Sequence, residues 1–179
     1  LANCTEKDRP FTRLVFSDEF IQGRVWLTQK FKELNLITKV DEAGNLVGIY
    51  KSSTNASKKI LIGSHIDTVA YGGKYDGIAG VISGLSIIKY LSDNDIELPF
   101  DIEVYDYLGE ELNDWNISCI GSRGICGALS EGMLNSKNSK GILLKDEIDR
   151  IGGNTENIKK LLNQFQNVLA CFELHIEQG

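Results

Sequence analysis

The sequence predicts an α/β fold: a three-layer sandwich with a largely parallel, mixed sheet covered by helices on both faces. Three observations carry that prediction. Short apolar runs at 60–63, 100–108 and 168–176 alternate with longer amphipathic stretches, the strand–helix rhythm of a parallel sheet. The runs at 60–63 and 168–176 read as buried strands, while 100–108 alternates in character. Each is followed by histidine or acid at its carboxyl end, where sites gather in such sheets.

Taken in order, Ser17 followed by Asp18 and Glu19 reads as a helix start, a cap oxygen and then acids at the positive end of the dipole. Phe20, Ile21, Val25, Leu27, Phe31 and Leu34 supply its apolar face to about Leu36. Leu36 to Val40 and Leu46 to Tyr50 form a hairpin about the Asp41–Asn45 turn, and 51–58 is polar loop. Ile60 to Gly63 is a buried strand. Gly77 to Leu91 is a helix whose Gly80 and Gly84 admit a close neighbour. Phe100 to Leu108 alternates as a strand, and Ser130 to Gly141 is polar loop. Lys145–Ile151 and Thr155–Gln166 are helices, and Val168–Ile176 is a further buried strand. No internal repeat or linker marks a second domain.

Composition excludes some classes of function. A net charge of −6, without a run of Lys and Arg, argues against a nucleic-acid surface. No stretch approaches the ~18 apolar residues of a membrane span, so no membrane partner is expected. Cys4, Cys119, Cys126 and Cys171 lack metal-ligand or redox spacing and read as thiols, which makes a cytoplasmic location the default expectation. The start at Leu1 rather than Met reads as an engineered or a processed end.

Both histidines of the chain lie in the segments richest in chemistry, Gly63-Ser64-His65-Ile66-Asp67-Thr68-Val69 and Glu173-Leu174-His175-Ile176-Glu177-Gln178-Gly179. Between them stand Tyr75-Asp76-Gly77 and the acid pair Glu110-Glu111. A pair of catalytic metal ions needs a bridging carboxylate, terminal His or carboxylate ligands and an open position for water. Asp76 suits the bridge because Gly77 permits a tight turn into the following helix. His65 can supply a nitrogen, and Asp67 can accept its other ring N–H and fix the tautomer. Of the two glutamates, one can ligate while the other faces water as base. Each element alone is commonplace; their convergence at strand ends of one sheet is the argument.

These motifs, with Gly72-Gly73, Gly121-Ser122-Arg123, Thr12-Arg13-Leu14 and the Asp41–Gly48 segment, closely resemble the amidase/hydantoinase/carbamoylase branch of the M20 metallopeptidases. The resemblance runs over nearly the whole chain, with the motifs in the same order. It implies the catalytic domain of a dinuclear metallohydrolase, truncated, with residues 1–179 as its N-terminal part. The lid and dimerisation domain and the rest of the catalytic domain would be absent. His65 and His175 would hold one metal, Asp76 bridge both and Glu111 bind the second. Glu110 would be the base, with Asp67 supporting His65 and Gln178 reaching the substrate's ureido or carbamoyl group. The Asp76–Gly77 peptide becomes a candidate cis bond. Two divalent metal ions are implied for the full enzyme, zinc before manganese or cobalt, with at most one site well formed in this chain.

The implied reaction is hydrolysis of a non-peptide C–N bond in a small carbamoyl, ureido or allantoate-type carboxylate. The parent would be a homodimer, and the fragment alone inactive. The chain departs from the branch in three respects, the first being that its sheet would lack the last strands and leave an edge and an apolar face exposed. It has only two histidines, so a further ligand of the second metal is missing. Asp114-Trp115 also stands where an Arg-Phe pair is common. Two alternatives stay open: an aminopeptidase or acylase of the wider M20 group, and a non-catalytic remnant that binds one metal or a partner.

Overall fold

The computed structural model describes residues 1–54 and 57–178; Asn55 and Ala56 of the expected 51–58 loop, and Gly179 of the last motif, lie outside them. Helix α1 (Asp18–Glu33) starts as its sequence dictates, with Ser17 Oγ accepting from the Phe20 amide at 3.1 Å. Phe20, Leu27 and Phe31 are fully buried. Arg24, not Val25, completes that face: Arg24 is 7% exposed and Val25 65%. Positions 20, 24, 27 and 31 follow the helical period, and Val25 falls off it. The Asp41 carboxylate closes the next turn by accepting from the Ala43 and Asn45 amides, which pairs β1 (Ile37–Val40) with β2 (Leu46–Tyr50).

The five strands lie in the order β1-β2-β4-β3-β5, with β3 spanning Lys59–Ser64, β4 Asp101–Asp106 and β5 Val168–Phe172. β1 to β2 and β2 to β4 are antiparallel; β3 is parallel to both β4 and β5. The sheet is mixed, and its parallel half (β4, β3, β5) is the half that carries the candidate site.

β4 does not alternate in burial: all six residues are buried, because both faces are covered. On one face Gly84 of α2 (Ile78–Asp93) lies so close that a Cβ there would meet Val104 Cγ1 at 2.9 Å. On the same face a Cβ on Gly48 would meet Phe31 of α1 at 2.7 Å. On the other side α3 (Ile120–Ile125), α5 (Leu144–Arg150) and the 3-10 helix Thr155–Asn167 pack together.

Three further sequence expectations are corrected. The stretch 155–166 winds as a 3-10 helix rather than an α-helix. Its inward positions Thr155, Ile158, Leu161 and Gln164 recur every third residue, which matches three residues per turn. The 130–141 loop holds a short helix, α4 (Glu131–Leu134), because Ser130 Oγ caps the Met133 amide at 3.3 Å. The last strand is neither buried nor as long as expected: it is an edge strand that stops at Phe172, with Leu169 49% and Phe172 57% exposed. Among the described residues it pairs only with β3. Among the described residues no helix is long and apolar enough to cross a membrane. All four cysteines are free thiols.

Candidate metal centre

The candidate residues arrive at the carboxyl ends of the three parallel strands. His65 follows β3 directly, Glu110 and Glu111 follow β4 after a short turn, and His175 lies beyond β5. Asp76 comes from the turn into α2, where Gly77 takes φ +64° at the N-cap. Among the described residues no peptide is cis, so the Asp76–Gly77 expectation is corrected. The turn is tightened by the glycine's positive φ instead, a conformation that costs other residues. The position is also crowded: a Cβ on Gly77 would meet the His65 ring at 2.5 Å.

Six of the expected residues converge. His175 Nε2 stands 3.3 Å from Asp76 Oδ1, and His65 Nε2 3.9 Å from the same oxygen. The two imidazoles stack with centroids 5.8 Å apart. His65 Nε2 is also 3.5 Å from Glu110 Oε2, and ligand atoms of His65, Glu110 and Glu111 lie within 4.8 Å of one another. Gln178 Nε2 donates to Asp76 Oδ2 at 2.8 Å, so Gln178 points at the carboxylate expected to bridge.

Asp67 behaves differently from its expected role. Its backbone carbonyl, at 2.9 Å, is the nearest partner of His65 Nδ1, while its carboxylate is 3.6 Å away. The carboxylate instead accepts the Glu110 amide at 3.2 Å and the Glu111 amide at 3.1 Å. One residue therefore orients the imidazole with its main chain and both glutamates with its side chain.

The donor set fits a divalent cation. His65 Nε2 and Asp76 Oδ1 are buried and without a hydrogen-bond partner, yet they face each other across the cluster. Buried polar groups left unpaired are rare and costly, and a cation between them would satisfy both. The cluster is also short of positive charge. Burial pulls the His65 pKa down, but the Asp67 and Glu110 carboxylates outweigh it and carry it up to about 9. Glu111 is pushed up, first by burial and then by the neighbouring acids against the opposing pull of His65. Imidazole with carboxylate suits zinc, and also manganese or cobalt.

Asp114 and Trp115 both anchor the 138–142 loop. Asp114 Oδ2 accepts from Ser139 Oγ at 2.7 Å and from its amide at 3.2 Å. Trp115 Nε1 donates to the Ile142 carbonyl at 2.9 Å, and its ring meets Phe16 edge-on at 5.4 Å.

Sequence reasoning missed several supporting residues. Ser64 Oγ donates to Glu173 Oε1 at 2.7 Å, which ties the end of β3 to the approach of His175. Cys119 Sγ lies 3.8 Å from Glu110 Oε1. Arg24 Nε donates to Asp106 Oδ2 at 2.8 Å in a fully buried pair. Arg24 had a legible signal, a charge on an otherwise apolar helical face; the Ser64–Glu173 contact, between residues far apart in sequence, had none.

Residues 45–167 match peptidase family M28. A ureidoglycolate hydrolase of Oryza sativa subsp. japonica is 30% identical over 100% of this chain and 38% of its own length. An N-carbamoyl-L-amino acid amidohydrolase of Geobacillus stearothermophilus is 30% identical over 94% of this chain and 41% of its own. An amidase of the hydantoinase/carbamoylase family from Burkholderia vietnamiensis superposes with a TM-score of 0.85 at 28% identity, over 99% of this chain and 43% of that one. The chain thus spans about two fifths of the length of the curated relatives it matches. The matched family carries the M28 name, while the relatives are of the carbamoylase branch that the motifs anticipated. The chain belongs to peptidase family M28, and it is similar in sequence and structure to hydantoinase/carbamoylase amidohydrolases.

Proposed function

We propose that this chain is the N-terminal part of the catalytic domain of a metal-dependent amidohydrolase. Its reaction is hydrolysis of a C–N bond in a small carbamoyl- or ureido-bearing carboxylate. The observation that carries the reading is the pair of buried, unpartnered atoms His65 Nε2 and Asp76 Oδ1, with His175 Nε2 turned onto the same oxygen. The relatives' names supply the bond class.

In this reading His65 and His175 would hold one divalent ion, Glu111 would hold a second, and Asp76 would lend its carboxylate to both. When bound, the ions lower the pKa of water and polarise the substrate carbonyl. The chain's own residues do the rest. Glu110, partly exposed beside His65, takes a proton from the attacking water as its oxygen bonds to the carbonyl carbon. Glu110 then returns that proton to the nitrogen as the C–N bond breaks. Asp67 holds the Glu110 and Glu111 amides, fixing the base relative to the ligand. Gln178, whose side-chain amide donates to Asp76, would take the substrate's ureido or carbamoyl group. With only two histidines, the second metal lacks a ligand, and the chain alone is expected to be inactive.

The M28 match favours one alternative, hydrolysis of a peptide or acyl-amino-acid bond. X-ray absorption at the zinc edge of the loaded chain tests the centre. Nitrogen and oxygen neighbours at ~2.0–2.2 Å with imidazole scattering are expected, and a sulfur shell near ~2.3 Å would place the metal on cysteine and overturn the assignment. Side-by-side assays on an N-carbamoyl amino acid and a dipeptide, using the parent polypeptide, separate the two bond classes. Turnover by this chain alone that depends on His65 would contradict its expected inactivity.

A further inference from the structure

Arg13 is an expensive residue that the chemistry above does not use. It is 2% exposed, and among the described residues no carboxylate forms an ion pair with it. Its acceptors are carbonyls only: Ile66 at 2.6 Å through Nε, and Cys4 at 2.7 Å and Leu1 at 3.2 Å through Nη1. Nη2 is buried without a partner, and burial pulls the guanidinium pKa down. The Asp106 and Asp67 carboxylates act on the charge only without an ion-pair contact, and a buried charge lacking a contacting counter-ion is destabilising.

The use is legible in what Arg13 holds. Its guanidinium takes the Ile66 carbonyl, its amide donates to Thr68 Oγ1 at 2.8 Å, and its carbonyl accepts the Thr68 amide at 3.0 Å. From the opposite side Asp106, locked by Arg24, accepts the Ile66 amide at 3.0 Å. Both peptide groups of Ile66 are therefore gripped. The residues on either side of it are His65 and Asp67, and Asp67 in turn holds His65 Nδ1, the Glu110 amide and the Glu111 amide. Helix α1 makes room for the grip at Gly23, where a Cβ would meet Ile66 Cδ1 at 3.1 Å and Arg13 Cδ at 3.2 Å.

We propose that Arg13 is a positioning residue of the metal centre, one jaw of a clamp whose other jaw is the Asp106–Arg24 pair. By fixing the Ile66 peptide the clamp sets the relative placement of His65, Glu110 and Glu111. The proposal rests on the metal reading above for its consequence, though the clamp itself is a property of the metal-free chain.

The test compares wild type with Arg13→Met, which keeps the long stem but removes the fork, and Arg13→Lys, which keeps the charge. Cobalt(II) titration with visible spectra reads the metal, and hydrogen exchange of the metal-free proteins reads the Glu110 and Glu111 amides. Arg13→Met is expected to stay folded, bind cobalt about 10–100-fold more weakly with a changed spectrum, and lose protection at both amides. Arg13→Lys is expected to recover part of each. A merely structural role would lower the unfolding midpoint and leave the spectrum and those two amides as they were, which would overturn the proposal. Should Arg13→Met fail to fold, the Lys variant decides by the same readings. Should wild type bind no cobalt, the metal reading falls, while amide exchange still decides the clamp.

Discussion

The two histidines reach the same carboxylate from very different surroundings. His65 leaves the interior strand β3, which is paired on both sides, and its side chain is 1% exposed. His175 follows the edge strand β5, and its side chain is 29% exposed among Leu174, 54% exposed, and Ile176, 36% exposed. His65 is held through Asp67, Asp106 and Arg13, whereas the His175 segment is tied mainly by Ser64 to Glu173 and Gln178 to Asp76. One ligand is delivered by the core and the other is laid onto it. A site built this way has its geometry dictated from the β3 side and is open to adjustment from the β5 side.

That contrast can be broken at graded cost. The largest effect is expected in the core: Phe31→Ala should cost about 3–5 kcal/mol in urea unfolding, and Phe172→Ala, mostly exposed on β5, within about 0.5 kcal/mol. Equal costs would mean that β5 is as firmly packed as α1. Gly80→Ala acts at the seam, since its Cβ would meet the Leu174 carbonyl at 2.5 Å and Ser64 Cβ at 2.6 Å. It should cost about 1–3 kcal/mol and weaken metal binding by pushing the His175 segment off α2. Unchanged stability and metal affinity would place the 174–176 segment away from Gly80. Ser64→Ala is the mildest, removing the hydrogen bond to Glu173 for about 1 kcal/mol. Its hydrogen-exchange signature should be faster opening around 172–175 with β3 unaffected.

How much could be read in advance follows the same divide. Local signals were clear on the α1 and β3 side: Ser17 with its acids, the Asp41–Asn45 turn, Gly77 before α2, and histidine or acid after each parallel strand. What escaped depends on partners distant in sequence. β5 is apolar in composition, and nothing local states that it is an edge strand among the described residues. Asp67 looked like a partner for His65, yet its carboxylate is satisfied by amides more than forty residues away, which only the pairing of β3 with β4 brings near. Hydrophobicity alone favours Val25 over Arg24, whereas spacing from Phe20 and Leu27 places Arg24 inward.

The measurement that bears most directly on the account is metal content by elemental analysis of the purified, folded chain, wild type beside His65→Ala and His175→Ala, with circular dichroism to confirm folding. The account predicts about one zinc or manganese per wild-type chain, none in His65→Ala, and a reduced, more easily chelated fraction in His175→Ala. A folded wild-type chain without metal, or metal retained undiminished in His65→Ala, would contradict it.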